Sequence, residues 1–192
     1  MRNIILIGAG GHADSCIDVI ECENKYNILG LIDMPEKVGQ FSHGYKIIDT
    51  DENIKKYIAP NTYFLITIGQ IRSAKRRVEL FDYLKQNGAN LATVISPRAY
   101  VSRHSIIEEG TIVMHDAVVN IDASVGKNCI INTKALIEHG AKVGSHCHIS
   151  TAAVLNGGVS IGDKSFIGSN ATIVQALSLP ESTFVKAGEM IK

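Results

Sequence analysis

The chain has 192 residues, 45% hydrophobic and 20% charged, with 19 basic side chains against 19 acidic ones. That composition suits one folded domain or two small ones, and the balanced charge excludes the basic footprint of a nucleic-acid or anionic-membrane binder. No apolar run is long enough to span a bilayer. The opening stretch MRNIILIGAGGHA is broken by glycines and followed by no small-residue cleavage site, so it reads as a strand and the protein as cytoplasmic.

Residues 2–8 (RNIILIG) have the continuous apolar character of a buried strand. Gly8-Ala9-Gly10-Gly11-His12 then turns into a helix that runs to about Glu23. A second strand, Ile28–Ile32, ends at Asp33. Thr62–Ile68 is a third, followed by Gly69 and a basic helix from about Arg72 to Gln86. Leu91–Ile95 is a further strand, with Ser96-Pro97 as a hinge. Strands alternating with helices imply a small parallel sheet with helices on its faces.

The glycines after the first strand resemble a dinucleotide fingerprint that lacks its third glycine. The physics remains: bare amides at a helix N-terminus favour an anion such as a diphosphate. Asp33, at the tip of the second strand, stands where a carboxylate meets a ribose. About 90 residues make only half of a doubly wound domain, which suits a nucleotide sugar better than NAD. Arg72, Lys75, Arg76 and Arg77 form a basic cluster, read as a solvated helix face with Arg72 or Arg76 in reach of phosphate.

From Val101 to Ile191 every sixth residue is Val, Ile or Leu, without a break. Four residues after each anchor the side chain is usually small, as at Ala117, Ala123, Cys129, Ala135, Ala141, Cys147 and Ala153. This period is the signature of a hexapeptide β-helix, in which three units close one triangular coil. With stacked strands about 4.8 Å apart, five coils make a prism on the order of 25 Å tall. Anchors point inward. Gly126, Gly144, Gly162 and Gly168 directly follow anchors, where a turn would tolerate no Cβ. The phase never slips, so no long loop is expected. The division is residues 1–96 for the α/β unit and 97–192 for the prism.

Cys129 and Cys147 lie one coil apart at small-residue corners and read as reduced packing residues. His146-Cys147-His148 makes a poor metal set, because neighbours on a strand face opposite ways. No metal ligand set is expected. His104, His115 and His146 read as surface residues.

The segments GAGGH at 8–12, LID at 31–33, ITIG at 66–69, INTKALIEHGAKVG at 131–144 and ISTAAVLNGGVSIGDKSFIG at 149–168 resemble one bacterial family. These are the acetyl-CoA-dependent sugar acetyltransferases of the UDP-4-amino-sugar (bacillosamine) and sialic-acid kinds. The resemblance implies an α/β half-Rossmann domain followed by a left-handed parallel β-helix, assembled as a homotrimer with active sites between prisms. It implies His139 as general base, His148 as a contact to acetyl-CoA, and backbone contacts to the coenzyme at Ser169 and Ala187. It places the sugar nucleotide on Gly10, Gly11, His12, Asp33 and Gly69. Where the family often has an acidic residue after the catalytic histidine this chain has Gly140, leaving Glu138 as the substitute. Met34 replaces an acidic residue found in some members, and a Gly-x-Pro-x-Lys ending does not occur before Lys192.

Acetyl transfer needs a nucleophile stripped of a proton, a polarised thioester and two reactants held together. An imidazole with a pKa of about 6.5 suits the first task. The leading expectation is therefore N-acetylation of a nucleotide-linked amino sugar in surface-glycan biosynthesis. His139-Gly140 also suits O-acetylation of sialic acid or a related nine-carbon acid. A non-catalytic nucleotide-sugar binder would bind the sugar without releasing thiol, and a β-helix carbonic anhydrase would need three histidine ligands.

Overall fold

The computed structural model describes all 192 residues. Its first strand, β1 (Arg2–Ile7), is buried from Ile4 onward and ends at Gly8. Gly8 has φ +111°, and a Cβ there would lie 2.7 Å from the Ile68 side chain. Only glycine lets the two strand-end loops approach this closely. Helix α1 (Gly11–Glu23) buries Ala13, Cys16, Ile17, Val19 and Ile20 and stops at Asn24 in the left-handed region. β2 (Tyr26–Ile32) runs parallel to β1. A short antiparallel pair, β3 (Phe41–Ser42) and β4 (Tyr45–Asp49), extends that edge. β5 (Thr62–Ile66) pairs with the other side of β1. Helix α2 (Lys75–Gln86) follows, starting later than its basic run suggested. β6 (Asn90–Leu91) closes the sheet, whose order is β3-β4-β2-β1-β5-β6.

The strand expected over Leu91–Ile95 divides between the two halves of the molecule. β6 belongs to the α/β sheet, while β7 (Val94–Ile95) pairs with Ile112–Val113 in the first rung of the prism. The coil thus begins upstream of Ser96-Pro97, and the chain passes between units without a linker.

Two-residue strands recur every six residues from Tyr100 to Ile191 and pair in parallel with those eighteen residues away. Together with β7 they form three faces of six, six and five strands. This is the expected left-handed coil. The anchors and the small corner residues pack into one core running from Val113 to Val185. Turn geometry sits at a different position than the glycines suggested. The positive φ falls three residues after each anchor from Ile107 to Val185, at Gly110, Asp116, Asp122, Asn128, Lys134, Gly140, His146 and on to Gly188. Gly126 meets a different constraint: a Cβ on it would lie 2.8 Å from the Gly144 carbonyl carbon in the next coil.

The three faces differ. The face carrying Val94, Ile112 and Ile130 lies under α1 and shares its hydrophobic cluster. The face carrying Ser124, Lys142, Ser160 and Ser178 is mainly polar. The third presents an outward ladder of Tyr100, Val118, Leu136, Val154, Thr172 and Met190, all partly or fully exposed.

Candidate active site

The C-terminal ends of β1, β2 and β5 open onto a cleft of 650 Å³. Gly10, Gly11, His12, Asp33 and Gly69 all line it, so the structure brings the five sequence-derived nucleotide-site residues together. α1 begins at Gly11 with no side-chain cap, and its first amides have no partner inside the helix. They form an anion seat.

Asp33 is fixed at the cleft wall. Its Oδ2 accepts the Ala9 amide at 2.6 Å and Lys37 Nζ at 3.2 Å, and Oδ1 accepts the Met34 amide at 2.7 Å. Partial burial opposes its charge, but the Met34 and Ala9 amides and Lys37 outweigh that and hold the carboxyl below its usual range. Lys37 and Asp51 also line the cleft and were not anticipated, since each lies in a short 3-10 helix outside any motif; Thr67, within the ITIG segment, lines it too. Arg76 also lines the cleft, paired with Asp51 and Glu79; Arg72 is exposed and outside it.

His12 and His148 meet behind the cleft, with ring centroids 6.5 Å apart. Burial, followed by the Arg77 charge and His148, lowers His12 to about 3. His148 is 7% exposed. Its Nδ1 lies 2.6 Å from the Gln70 carbonyl and its Nε2 3.2 Å from Asn132 Nδ2. Nδ1 therefore donates and Nε2 accepts. Burial drives its pKa down to about 4, although the Gln70 hydrogen bond works the other way. His148 thus reaches the prism edge only through Asn132.

The basic cluster divides. Arg77 is 1% exposed. It donates to the carbonyls of Ile66 (2.6 Å), Ile68 (2.8 Å) and Asn128 (2.9 Å) and to Asn128 Oδ1 (2.8 Å). It is an internal clamp tying the β5 end to the prism, not part of a solvated face. His146 is half-buried against Phe81, edge-on at 5.2 Å, and His115 is also largely covered; of the three histidines read as surface residues only His104 is exposed.

His139 stands at the corner between the apolar and polar faces, with its side chain 64% exposed. Glu138 Oε2 lies 3.2 Å from its Nδ1, accepts its backbone amide at 3.1 Å and accepts Asn120 Nδ2 at 2.9 Å. Those amide and side-chain bonds hold the Glu138 carboxyl below its usual range. The pairing gives His139 Nδ1 the proton and leaves the Nε2 lone pair free. The chain turns here, which is why adjacent residues reach one another. Gly140 has φ +66°, one of the left-handed corner positions, so its place beside His139 answers a backbone demand. The imidazole lies over Gly157, where a Cβ would stand 2.6 Å from Nε2.

Ser169 and Ala187 fall on the other edge of the apolar face, in the eighteen-residue column of His115, Thr133 and Thr151. Ser169 Oγ is 3.0 Å from Ser150 Oγ, and Ala187 is exposed.

Residues 3–84 match the PglD N-terminal domain family. The full length of the chain superimposes on perosamine N-acetyltransferase from Caulobacter crescentus, solved with CoA and GDP-perosamine as a histidine-to-asparagine variant. The TM-score is 0.92 at 26% identity, over 89% of that chain. The acetyltransferase domain of PglB from Neisseria gonorrhoeae, in complex with acetyl coenzyme A, matches over 97% of this chain and 89% of its own, with TM-score 0.90 and 27% identity. UDP-N-acetylbacillosamine N-acetyltransferase of Bacillus subtilis is 28% identical over 117 residues, 59% of this chain and 52% of that protein. The chain spans at most about half the length of the curated relatives it matches.

Proposed function

We propose that this protein transfers an acetyl group from acetyl-CoA to the amino group of a nucleotide-linked sugar, in the cytoplasm, as a homotrimer whose sites form between copies. The observation that carries the reading is the pairing of a prepared base with a nucleotide cleft on one chain. His139 has its Nδ1 fixed by Glu138 and its Nε2 open, and the cleft joins a helix N-terminus to a ribose-height carboxylate. Similarity to enzymes solved with CoA and a nucleotide amino sugar supports the same reading.

Within one chain His139 does not line the cleft. The cleft lies over one prism face and His139 at the far edge of another. Packing the exposed apolar ladders of three copies about a common axis buries surface that water otherwise wets. It also sets the His139 corner of one copy beside the Thr133–Ala187 edge of the next. In that arrangement His139 Nε2 takes a proton from the amine as its nitrogen bonds to the thioester carbon. The carbon–sulfur bond then breaks, and the CoA sulfur leaves and is protonated. Acetyl-CoA supplies the acyl group; Ser169 and Ala187 offer backbone along its path, and His148 holds Asn132 at the head of that edge.

Complementation tests this directly. His139→Asn and Asp33→Asn are expected to lose thiol release from acetyl-CoA with UDP- and GDP-linked 4-amino sugars. Unfolding and refolding the two variants together recovers activity, because mixed trimers contain wild-type site pairs. Inactive mixtures of well-folded trimers would refute the shared site. Turnover by His139→Asn at the wild-type rate would refute the base.

A further inference from the structure

We propose a second ligand site on this protein, for a first-row divalent metal ion of the zinc kind, formed by Asp18, Cys22 and His115. One donor atom from each lies within 4.8 Å of the others. Asp18 and Cys22 are four apart on α1 and share one helix face. His115 comes from the second coil of the prism, 97 residues from Asp18. Its side chain is only 14% exposed, with Nε2 2.7 Å from Asp18 Oδ2. On its other side Nδ1 lies 2.7 Å from Ser96 Oγ. Ser96 is 1% exposed and its oxygen also accepts the Arg98 amide at 3.0 Å, so it is fixed. It can accept the Nδ1 proton, leaving the Nε2 lone pair as a ligand, which is how metal-bound histidines are commonly oriented.

The donor set selects the ion. Imidazole nitrogen, thiolate sulfur and one carboxylate suit Zn²⁺ or Co²⁺ and disfavour the all-oxygen chemistry of Mg²⁺ and Ca²⁺. Three protein ligands leave a fourth position, and a 390 Å³ hollow lined by Asp14, Glu21 and His43 as well as Asp18 and His115 opens it to water. Those carboxylates add negative charge. Cys22 is exposed, unlike the three other cysteines, and free to lose its proton to a metal. The chain Asp18–His115–Ser96 has the connectivity of a hydrolase triad, but a buried serine oxygen already accepting an amide cannot reach a substrate. A metal here ties the helix that opens the nucleotide cleft to the prism, and its binding energy adds to folding stability. The proposal does not depend on acetyl transfer.

The test uses reduced, chelator-stripped full-length protein titrated with Co²⁺, followed by Zn²⁺ competition. The expected result is one equivalent bound, with the near-ultraviolet charge-transfer absorption of a cobalt thiolate and a melting temperature raised by Zn²⁺. Cys22→Ser abolishes the absorption, and Asp18→Asn weakens binding; both side chains are exposed, so the fold is retained. Ser96→Ala costs about 10- to 100-fold in affinity. No thiolate absorption in the wild type would overturn the site, as would absorption that survives Cys22→Ser or affinity that survives Asp18→Asn.

Discussion

Acid should unfold this protein through His148, and the size of the effect follows from its surroundings. The ring is 7% exposed, with Nδ1 donating to the Gln70 carbonyl and Nε2 accepting from Asn132. The Arg77 charge further opposes a second proton, and the neighbouring His12, lowered to about 3, stays neutral through this range. The folded pKa is lowered from 6.5 to about 4. Between those values the unfolded chain binds a proton that the native state refuses, so stability falls as pH falls. The loss begins near pH 6.5, ends near pH 4, and is negligible at pH 7. At pH 5, about 1.5 pH units below the unfolded value, it amounts to about 2 kcal/mol at roughly 1.4 kcal/mol per unit. The chain has no tryptophan, so urea unfolding is best followed by far-ultraviolet circular dichroism. Protein concentration is held fixed because assembly contributes by mass action. Between pH 7 and pH 5 the wild type is expected to lose about 2 kcal/mol more than His148→Gln. Parallel losses in the two proteins would show that His148 takes up its proton in the folded state, and the reasoning from burial would fail.

Two further outcomes follow from close contacts. Gly157→Ala puts a methyl group 2.6 Å from His139 Nε2 and must displace the ring; kcat is expected to fall about 100-fold with the melting temperature little changed, since a shift of about 1 Å can cost that much. Unchanged kcat would mean that the ring's seat over Gly157 is irrelevant to turnover. Arg77→Met leaves the Ile66, Ile68 and Asn128 acceptors buried without a donor, which should cost on the order of 3 kcal/mol in urea unfolding. A loss below about 1 kcal/mol would mean that water or a rearranged loop satisfies them.

What was legible in the sequence is what repeats or follows a local rule. The inward anchors could be read without a structure because one missed hexad would expose a gap in the stacked core. That these residues share one cleft could be read because glycines after β1 and a carboxylate after β2 are placed by the sheet itself. Arg77 shows what is lost when charge is counted without periodicity. It sits three, four and seven residues before Leu80, Phe81 and Leu84, on the stripe that α2 buries, and that spacing was the available signal. Gly140 shows the converse. Compared by residue type it is a missing acid, but compared by phase it stands six residues after Lys134 in a series of left-handed corners.

His115 belongs to a third kind, for which spacing holds no signal. Its partners are Ser96, nineteen residues upstream, and Asp18, on a helix of the other unit, and only the packing of α1 against the first coil brings them together. His139 goes one step further, since even in the folded chain it lies outside the cleft with which the proposed reaction pairs it. On the proposed reading, a largely exposed imidazole held by Glu138 and seated over Gly157, at the edge of the Tyr100-to-Met190 ladder, would act on a substrate held by a neighbouring copy. On that proposal the apolar face and the histidine make one argument: a surface suited to drawing copies together would be bordered by the group that needs a second copy to work.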